Sequence, residues 1–304
     1  MDLARDSFRI PGLYSLHSSH SLNHMLLNTF IHIPGIGEKT EKQIWQSGIH
    51  TWDQWHPPFP ANLPQAKIKL ITFHLQQYLE QQDGSAAFYA KILQPMHHWR
   101  LFPHFRERTA FLDIETNGMG LDQCEITTIA LYDGHAIRTY IQGRNLEQFT
   151  RDIDDYEIIV TYNGKNFDVP VIESCLHTRL NQVHIDLRHI LARLGYRGGL
   201  KGCERQMGIN RMELDGVDGY WAVLLWREFA CRGNDKALQT LLAYNIADAV
   251  NLEPLLVHAY NLHIASTPFA LSNYIPPPES PAPPFHADQE IITQIRRMLR
   301  FHYK

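Results

Sequence analysis

The stretch FLDIETNGMG, residues 111–120, decides how the rest of the sequence is interpreted. Its apolar residues predict a strand, and Asn117-Gly118 predicts the turn that ends it. Asp113 and Glu115 interrupt the apolar run. Because side chains two residues apart in a strand point to the same face, the two carboxylates lie side by side. Such a pair is typical either of the solvated face of an edge strand or of a metal site.

Length and composition are those of an ordinary globular protein. The chain has 304 residues, 44% apolar and 20% charged, enough for one large core and a smaller unit. No apolar run could span a membrane and the N-terminus lacks a secretory segment, so we expect a cytoplasmic protein without a membrane partner. The four cysteines lie far apart, which argues against a zinc site or a disulfide framework. Because the net charge is −4, nucleic-acid binding would need local basic segments.

The order of the predicted elements divides the chain into three parts. Residues 1–105 are predicted to be helical, 106–262 contain strands and helices, and 263–304 form a proline-rich linker with a basic C-terminal segment. In the middle part, strands are predicted at 110–114, 125–132, 135–142 and 157–162, and helices at 145–153, 167–179, 186–194, 217–230 and 234–262. Strands that later alternate with helices predict an α/β domain with a mixed sheet.

Two further acids stand at positions that suit ligands. Asp168 follows a polar turn in YNGKNFDVPVI, just after a predicted strand, where ligands bind in open α/β sheets; the alternative is a helix N-cap. Asp248 lies in LLAYNIADAVNLEPLL, a mostly apolar helix, and Tyr244 shares its helical face. A buried unpaired carboxylate costs several kcal/mol or becomes protonated. The alternative is one structural hydrogen bond to Asp248.

These acids would need a cation if they met in one site. Asp113, Glu115, Asp168 and Asp248 could not all stay ionised without one. Hard carboxylate oxygens suit Mg²⁺ or Mn²⁺. Two such ions roughly 3.5–4 Å apart can clamp the attacking and the leaving oxygen of a phosphodiester. We therefore predict two divalent cations, Mg²⁺ or Mn²⁺.

The order D-x-E, N-x₃-F-D and Y-x₃-D resembles that of the DEDD superfamily of 3′–5′ exonucleases. Ala243 stands where the other branch has a histidine, which places the resemblance with the tyrosine branch. The motifs are similar to those of family B DNA polymerase proofreading domains. Over residues 96–262 the chain resembles bacterial standalone RNase-H-like proteins of the YprB type. The resemblance implies a ribonuclease-H-like mixed five-stranded sheet flanked by helices.

The resemblance also implies roles for individual residues. Asp113, Glu115, Asp168 and Asp248 would bind the metals, and Tyr244 would orient the attacking water, since a phenol with a pKa near 10 is a poor base at neutral pH. Thr116, Asn117 and Asn163 would contact the nucleic acid or brace the turns that do. Met119 replaces the leucine that often wedges against the terminal base, so we expect weaker positioning of that base.

The segment FIHIPGIGEKTEKQIWQSGI, residues 30–49, resembles a helix-hairpin-helix. In that motif Gly35 and Gly37 let the backbone approach a phosphate, and Lys39 and Lys42 add positive charge. Glu41 departs from the pattern, because a small residue usually stands there. The alternative is a plain glycine turn between two helices.

These observations together predict a metal-dependent 3′–5′ exonuclease with a small, all-α nucleic-acid-binding region in front. Its substrate would be the ends of single-stranded nucleic acid, DNA in preference to RNA. Two other functions stay open, a nucleic-acid-binding protein with weak or no catalysis and an endonuclease of ribonuclease H type. The products separate the three, since mononucleotides, internal fragments and no cleavage are distinct outcomes.

Overall fold

The computed structural model describes residues 25–81, 84–120, 123–211, 214 and 219–302. Within them the chain forms two compact units. One extends to His104 and includes Asn261–Ile275; the other runs from Phe105 to Tyr260 and resumes at Pro276. The division into 1–105, 106–262 and 263–304 stays a prediction. Among the described residues, no helix has the length and apolar character to cross a membrane.

The second unit contains a five-stranded mixed sheet in the order β3-β2-β1-β4-β5. The strands are β1 Thr109–Thr116, β2 Ile126–Tyr132, β3 Ile137–Ile141, β4 Ile158–Thr161 and β5 Val183–Asp186. β2 is antiparallel to both β1 and β3, whereas β4 is parallel to β1 and to β5. The predicted α/β class and mixed five-stranded sheet are confirmed.

The second unit also contains helices that flank its sheet. In the first unit, helices make up most of the regular secondary structure. The described α-helices are α1 Glu38–Gln46, α2 Gln65–Gln81, α3 Ala86–Ile92, α4 Phe102–Phe105, α5 Phe149–Asp152, α6 Asp168–Cys175, α7 Leu187–Arg193, α8 Gly199–Gln206, α9 Gly219–Arg232, α10 Asp235–Val250, α11 Leu252–Ile264 and α12 Gln289–His302. Short 3₁₀ turns lie at Trp52–Gln54, Pro95–Arg100, Arg106–Arg108, Leu146–Gln148 and Ile153–Asp155.

The helix predicted at 234–262 is two helices, so that prediction is wrong. α10 ends at Val250 and α11 begins at Leu252, with Asn251 between them. Pro254 gives the physical reason, because it has no N–H to donate to the carbonyl of Val250 and so removes one helical hydrogen bond. The break falls just after the helical stretch that carries Tyr244 and Asp248, and leaves that stretch regular.

The two faces of β1 have different neighbours. Ala110, Leu112 and Ile114 pack on one face with side chains of β2 and α6 in a single hydrophobic cluster. Asp113 and Glu115 alternate with them and therefore point to the other face. There α10 lies against β1 and β2.

Apolar side chains hold α10 on that face of the sheet. Leu238, Leu242 and Ile246 of α10 pack with Ala130 of β2, and all four are buried. Burying one such leucine or isoleucine stabilises the fold by about 1.5–3 kcal/mol. Because these apolar contacts fix the rotation of α10, the helix places Asn245 and Asp248 beside the acids of β1.

In the first unit, a glycine turn precedes α1. Gly35 has a φ of 77°, which favours glycine, and Gly37 is the residue before the helix starts. Glu41 is 1% exposed and forms a bidentate ion pair with Arg100, with oxygen–nitrogen distances of 2.8 and 2.9 Å. The position that usually carries a small residue is therefore occupied by a buried glutamate, which is paired with an arginine. The helix-hairpin-helix assignment stays a prediction.

Candidate metal centre

Three of the predicted acids converge. Asp113 and Glu115 of β1 and Asp248 of α10 each offer a carboxylate oxygen, and these oxygens lie within 4.8 Å of one another. Glu115 is 9% exposed, Asp248 is 6% exposed and Asp113 is half-buried. Because β1 is the middle strand of the sheet, its acids do not belong to a solvated edge, and this alternative is excluded.

The fourth acid lies beside this group. Asp168 is the first residue of α6, 6% exposed, and its charge helps to raise the pKa values of Asp113 and Glu115. The N-cap position of α6 belongs to Phe167, so Asp168 is not the cap. Burial raises the pKa of Asp168 to about 7, although hydrogen bonds from its own backbone and from that of Ile114 oppose this shift.

The cluster has an excess of negative charge. Burial, followed by the charges of neighbouring carboxylates, holds the pKa of Asp113 well above its usual range. The pKa of Glu115 is also held well above its usual range, first by burial and then by Asp248, while Lys201 opposes the shift. Burial raises the pKa of Asp248 against the opposing charges of Arg211 and Lys201. These acids can all be ionised at neutral pH only if additional positive charge is bound near them. Their carboxylate oxygens are ligands that suit a divalent cation.

Tyr244 lies one helical turn before Asp248 and is 3% exposed. Its hydroxyl oxygen accepts a hydrogen bond from Lys201 Nζ at 2.7 Å, and the ammonium lies 4.4 Å from the ring centroid. Burial, followed by the charges of Asp248 and Glu115, holds the pKa of Tyr244 far above its usual value. The phenol is therefore protonated at neutral pH, and because Lys201 occupies its oxygen, it can donate its own hydrogen.

Asn245 is a residue of this centre that the sequence analysis missed. It is completely buried, and its Nδ2 donates to Asp113 Oδ2 at 2.7 Å and to the Asp113 carbonyl at 3.0 Å. This fork fixes the carboxylate of Asp113 against α10. The signal was present in the sequence as a polar residue three positions before Asp248, in the apolar stretch 241–250.

Arg211 also lies inside the acidic group. Its Nη2 contacts Asp248 Oδ1, and its Nε and Nη2 donate to the two oxygens of Glu204, both at 2.6 Å. Glu204 of α8 is 1% exposed and also accepts from Asn251 Nδ2 at 2.9 Å. Arg211 and Lys201 both belong to the basic segment 196–211 of the sequence.

The part of the sequence that carries this centre matches a known superfamily. Residues 110–260, which include all four acids and Tyr244, match the family model of the RNase H superfamily. The second unit has an RNase-H-like fold. No curated protein matches the sequence.

Among solved structures, the chain is similar to the family B DNA polymerase from the hyperthermophilic archaeon Pyrobaculum calidifontis. The identity is 17% and the TM-score is 0.40. The match covers 55% of this chain and 27% of the polymerase, so the chain spans about a quarter of that protein's length.

In the RNase-H-like unit, Thr116 and Asn117 lie at the end of β1, close in sequence to the acids. Asn117 Oδ1 accepts from the backbone N–H of Met119 at 3.1 Å and of Glu125 at 3.3 Å, and its Nδ2 donates to the Gln123 carbonyl at 2.9 Å. These bonds make Asn117 a brace of its own loop. Met119 is 47% exposed, so the loop presents an apolar side chain to solvent.

Asn163 shapes the turn that precedes Asp168. It has a φ of 67°, its backbone N–H donates to Asp186 Oδ1 at 2.8 Å, and its side-chain oxygen accepts from Arg188 Nη1. Asp186, at the end of β5, also accepts from the backbone N–H of Lys165 at 3.3 Å. Two neighbouring parallel strands thus fix the turn that delivers Asp168 to the centre.

The remaining predicted residues lie in the other unit. Gly35, Gly37, Lys39 and Lys42 are all exposed, on the glycine turn and on α1. A Cβ atom at either glycine would meet no atom within 4 Å, so the backbone of this turn is open to a ligand.

Proposed function

We propose that the protein is a metal-dependent 3′–5′ exonuclease acting on single-stranded ends, DNA in preference to RNA. The observation that carries the proposal is the convergence of Asp113, Glu115 and Asp248 within 4.8 Å, with Asp168 in electrostatic contact. The superfamily match supports a nuclease in general. Membership of the tyrosine branch of the DEDD exonucleases, and of the YprB-type proteins within it, is part of the proposal.

The four acids would hold two divalent cations, Mg²⁺ or Mn²⁺. Asp113 lies within 4.8 Å of Glu115 and Asp248 and also feels the charge of Asp168, so it is suited to bind both. Once bound, the cations would bring the pKa of a water toward neutrality and offset the charge that develops on the phosphodiester. The carboxylate oxygens and their excess of negative charge fit this role.

Tyr244 would orient the attacking water rather than deprotonate it. Its pKa is too high for a base, and its oxygen already accepts from Lys201. The protonated phenol keeps its O–H to donate, and a donor held next to the acids fixes where a water sits. Positioning of this kind contributes through proximity and orientation, without a proton transfer by the phenol.

Neighbouring side chains would keep the acids in place between reaction cycles. Asn245 fixes Asp113, and Asp186 and Asn163 fix the turn before Asp168. Ligands whose rotamers are held by such contacts lose less entropy when a cation binds. Thr116, at the end of β1, would lie beside the nucleic-acid strand that enters the metal centre.

The glycine turn before α1 would bind phosphates of a nucleic acid. Gly35 and Gly37 leave the backbone open, and Lys39 and Lys42 are exposed on the following helix. Contacts of this type hold a nucleic acid without reading its sequence.

Digestion of end-labelled substrates tests the proposal. Purified protein with Mn²⁺ is incubated with single-stranded DNA and RNA oligonucleotides labelled at either end, beside Asp113→Ala. We expect mononucleotides released from the 3′ end, and none from the variant. Internal fragments would instead support an endonuclease, and binding without cleavage a nucleic-acid-binding protein.

A further inference from the structure

The guanidinium of Arg211 lies inside the acidic cluster, in contact with one of its carboxylates. The side chain of Arg211 is 7% exposed and contacts Asp248 Oδ1. Its position does not depend on Asp248 alone, since two further hydrogen bonds tie it to Glu204 at 2.6 Å each. Arg211 is thus a fixed positive charge next to a proposed metal ligand.

Glu204 provides the anchor. It is 1% exposed, lies on α8 and also accepts from Asn251 Nδ2 at 2.9 Å. A fork of two parallel hydrogen bonds to a buried carboxylate sets the plane of the guanidinium. The remaining contact of Nη2 then restrains Asp248 through Oδ1 and leaves Oδ2 free of this contact.

The arrangement places two opposing demands on Asp248. The guanidinium attracts the carboxylate and repels any divalent cation that binds it. Glu204 weakens that repulsion, because its negative charge offsets part of the charge of Arg211.

We propose that Arg211 is a positioning residue that acts as the internal counter-ion of Asp248. It holds the carboxylate in place when no metal is bound, and it keeps metal affinity at Asp248 below the level that the acids alone would give. Glu204 sets the strength of this effect. The inference rests on the proposed function, because it takes Asp248 as a metal ligand.

Two substitutions with opposite predicted effects on Mn²⁺ affinity test this proposal in the full chain. In Arg211→Gln the repulsion is gone, so calorimetric titration should show Mn²⁺ binding about 10-fold tighter than in wild type. In Glu204→Gln, Glu204 no longer offsets the positive charge of Arg211, so the guanidinium repels a cation at Asp248 more strongly. Mn²⁺ binding should then weaken by about 3- to 10-fold. Arg205→Gln removes an exposed arginine of α8 as the matched control and should leave affinity unchanged.

Melting temperature gives the second readout. Arg211→Gln should melt below wild type without metal and should recover part of the loss in saturating Mn²⁺, because the cation replaces the counter-ion of Asp248 but not that of Glu204. The double variant Glu204→Gln with Arg211→Gln removes the buried charge together with its partner, so it covers the case in which Arg211→Gln fails to fold. It should bind Mn²⁺ more tightly than Glu204→Gln alone.

A purely structural Arg211, which only ties Glu204 of α8 to Asp248 of α10, gives a different pattern. Both single variants would then melt lower by equal amounts with and without Mn²⁺, and neither would bind Mn²⁺ more tightly than wild type. That result would overturn the role of Arg211 while wild-type cleavage still upholds the proposed function. Wild-type protein that neither binds Mn²⁺ nor cleaves would overturn both.

Discussion

Both units of this protein bury acidic side chains, but the buried acids that we compare differ in how fully partners neutralise them. In the first unit, both oxygens of Glu41 face Arg100, and one of them also accepts from the backbone N–H groups of Phe30 and Ile31 at 2.7 and 3.0 Å. In the RNase-H-like unit, Glu115 and Asp248 share the positive charges of Lys201 and Arg211, and Arg211 also donates two hydrogen bonds to Glu204. Asp113 and Asp168 lie beside them and add negative charge.

This difference separates a structural acid from a ligand. A buried carboxylate with a full set of partners stabilises the fold and has no capacity left for a cation. Carboxylates that outnumber their partners are costly unless something else supplies charge. The contrast therefore assigns Glu41 to folding and supports the proposed metal-binding role of the cluster on β1 and α10.

The largest expected effect comes from deleting one acid in each unit. Asp113→Ala should abolish cleavage and melt no lower than wild type in EDTA, because it removes one repulsive charge from an over-charged cluster. Glu41→Ala should lower the free energy of unfolding by about 3–5 kcal/mol, since it leaves Arg100 buried and unpaired. Denaturant unfolding and cleavage are measured on both variants. Activity that survives in Asp113→Ala would break the comparison.

Next in size is the pH dependence of stability without metal. Burial raises the pKa of Asp168 to about 7, so the folded protein keeps a proton that the unfolded chain releases at about pH 4. The stabilisation that protonated Asp168 contributes is fully present below about pH 4 and is lost as the pH rises toward about 7. The free energy of unfolding should fall by on the order of a few kcal/mol over this range. Melting temperatures in EDTA across this range measure the loss, which Asp168→Asn should reduce.

Metal should reverse this trend, because cations bind ionised carboxylates. Mn²⁺ should raise the melting temperature more at about pH 8 than at about pH 5. An equal rise at both pH values would show that the ion binds outside the acidic cluster.

A smaller effect is expected from Tyr244→Phe, which keeps the ring on α10 and removes only the hydroxyl. The cleavage rate should fall by about 10- to 1000-fold, the scale for losing one positioned group. Mn²⁺ affinity should hardly change, whereas Asp248→Asn should lose affinity and rate together. Single-turnover cleavage and Mn²⁺ titration compare the two. If Tyr244→Phe loses metal as badly as Asp248→Asn, the tyrosine is structural.

The smallest effect concerns the first unit and its exposed lysines. Replacing Lys39 and Lys42 by Glu should weaken binding to single-stranded DNA, and more at low salt than at high salt, because each lost phosphate contact flattens the salt dependence of affinity. The control replaces the exposed Lys69 and Lys91 by Glu, which makes the same charge change elsewhere in this unit. A salt dependence equal to that of the control would make α1 only structural.

Much of the RNase-H-like unit could be predicted because its signals are local. Asp113 and Glu115 in a strand, and Tyr244 four residues before Asp248 in a helix, follow from the periods of the two elements. β5 was missed, since it is only four residues long and the sequence there reads as the start of a helix. The break at Asn251 was missed because the apolar pattern continues through it.

The partners of the acids could not be predicted in the same way. Lys201 and Arg211 reach the cluster only through the packing of their segment against α10, and a basic stretch in sequence does not say which side chain turns inward. The role of Glu41 depends on Arg100, which follows 59 residues later. Such pairings are set by tertiary structure, so the sequence showed the acids and left their neutralisation open.

The claim that the cluster is a cation site is tested most directly by counting bound Mn²⁺. Calorimetric titration of the full chain at neutral pH should show saturable binding of two ions per chain, and Asp113→Ala should lose it. Wild-type protein without saturable binding, or binding that Asp113→Ala leaves unchanged, would contradict the account.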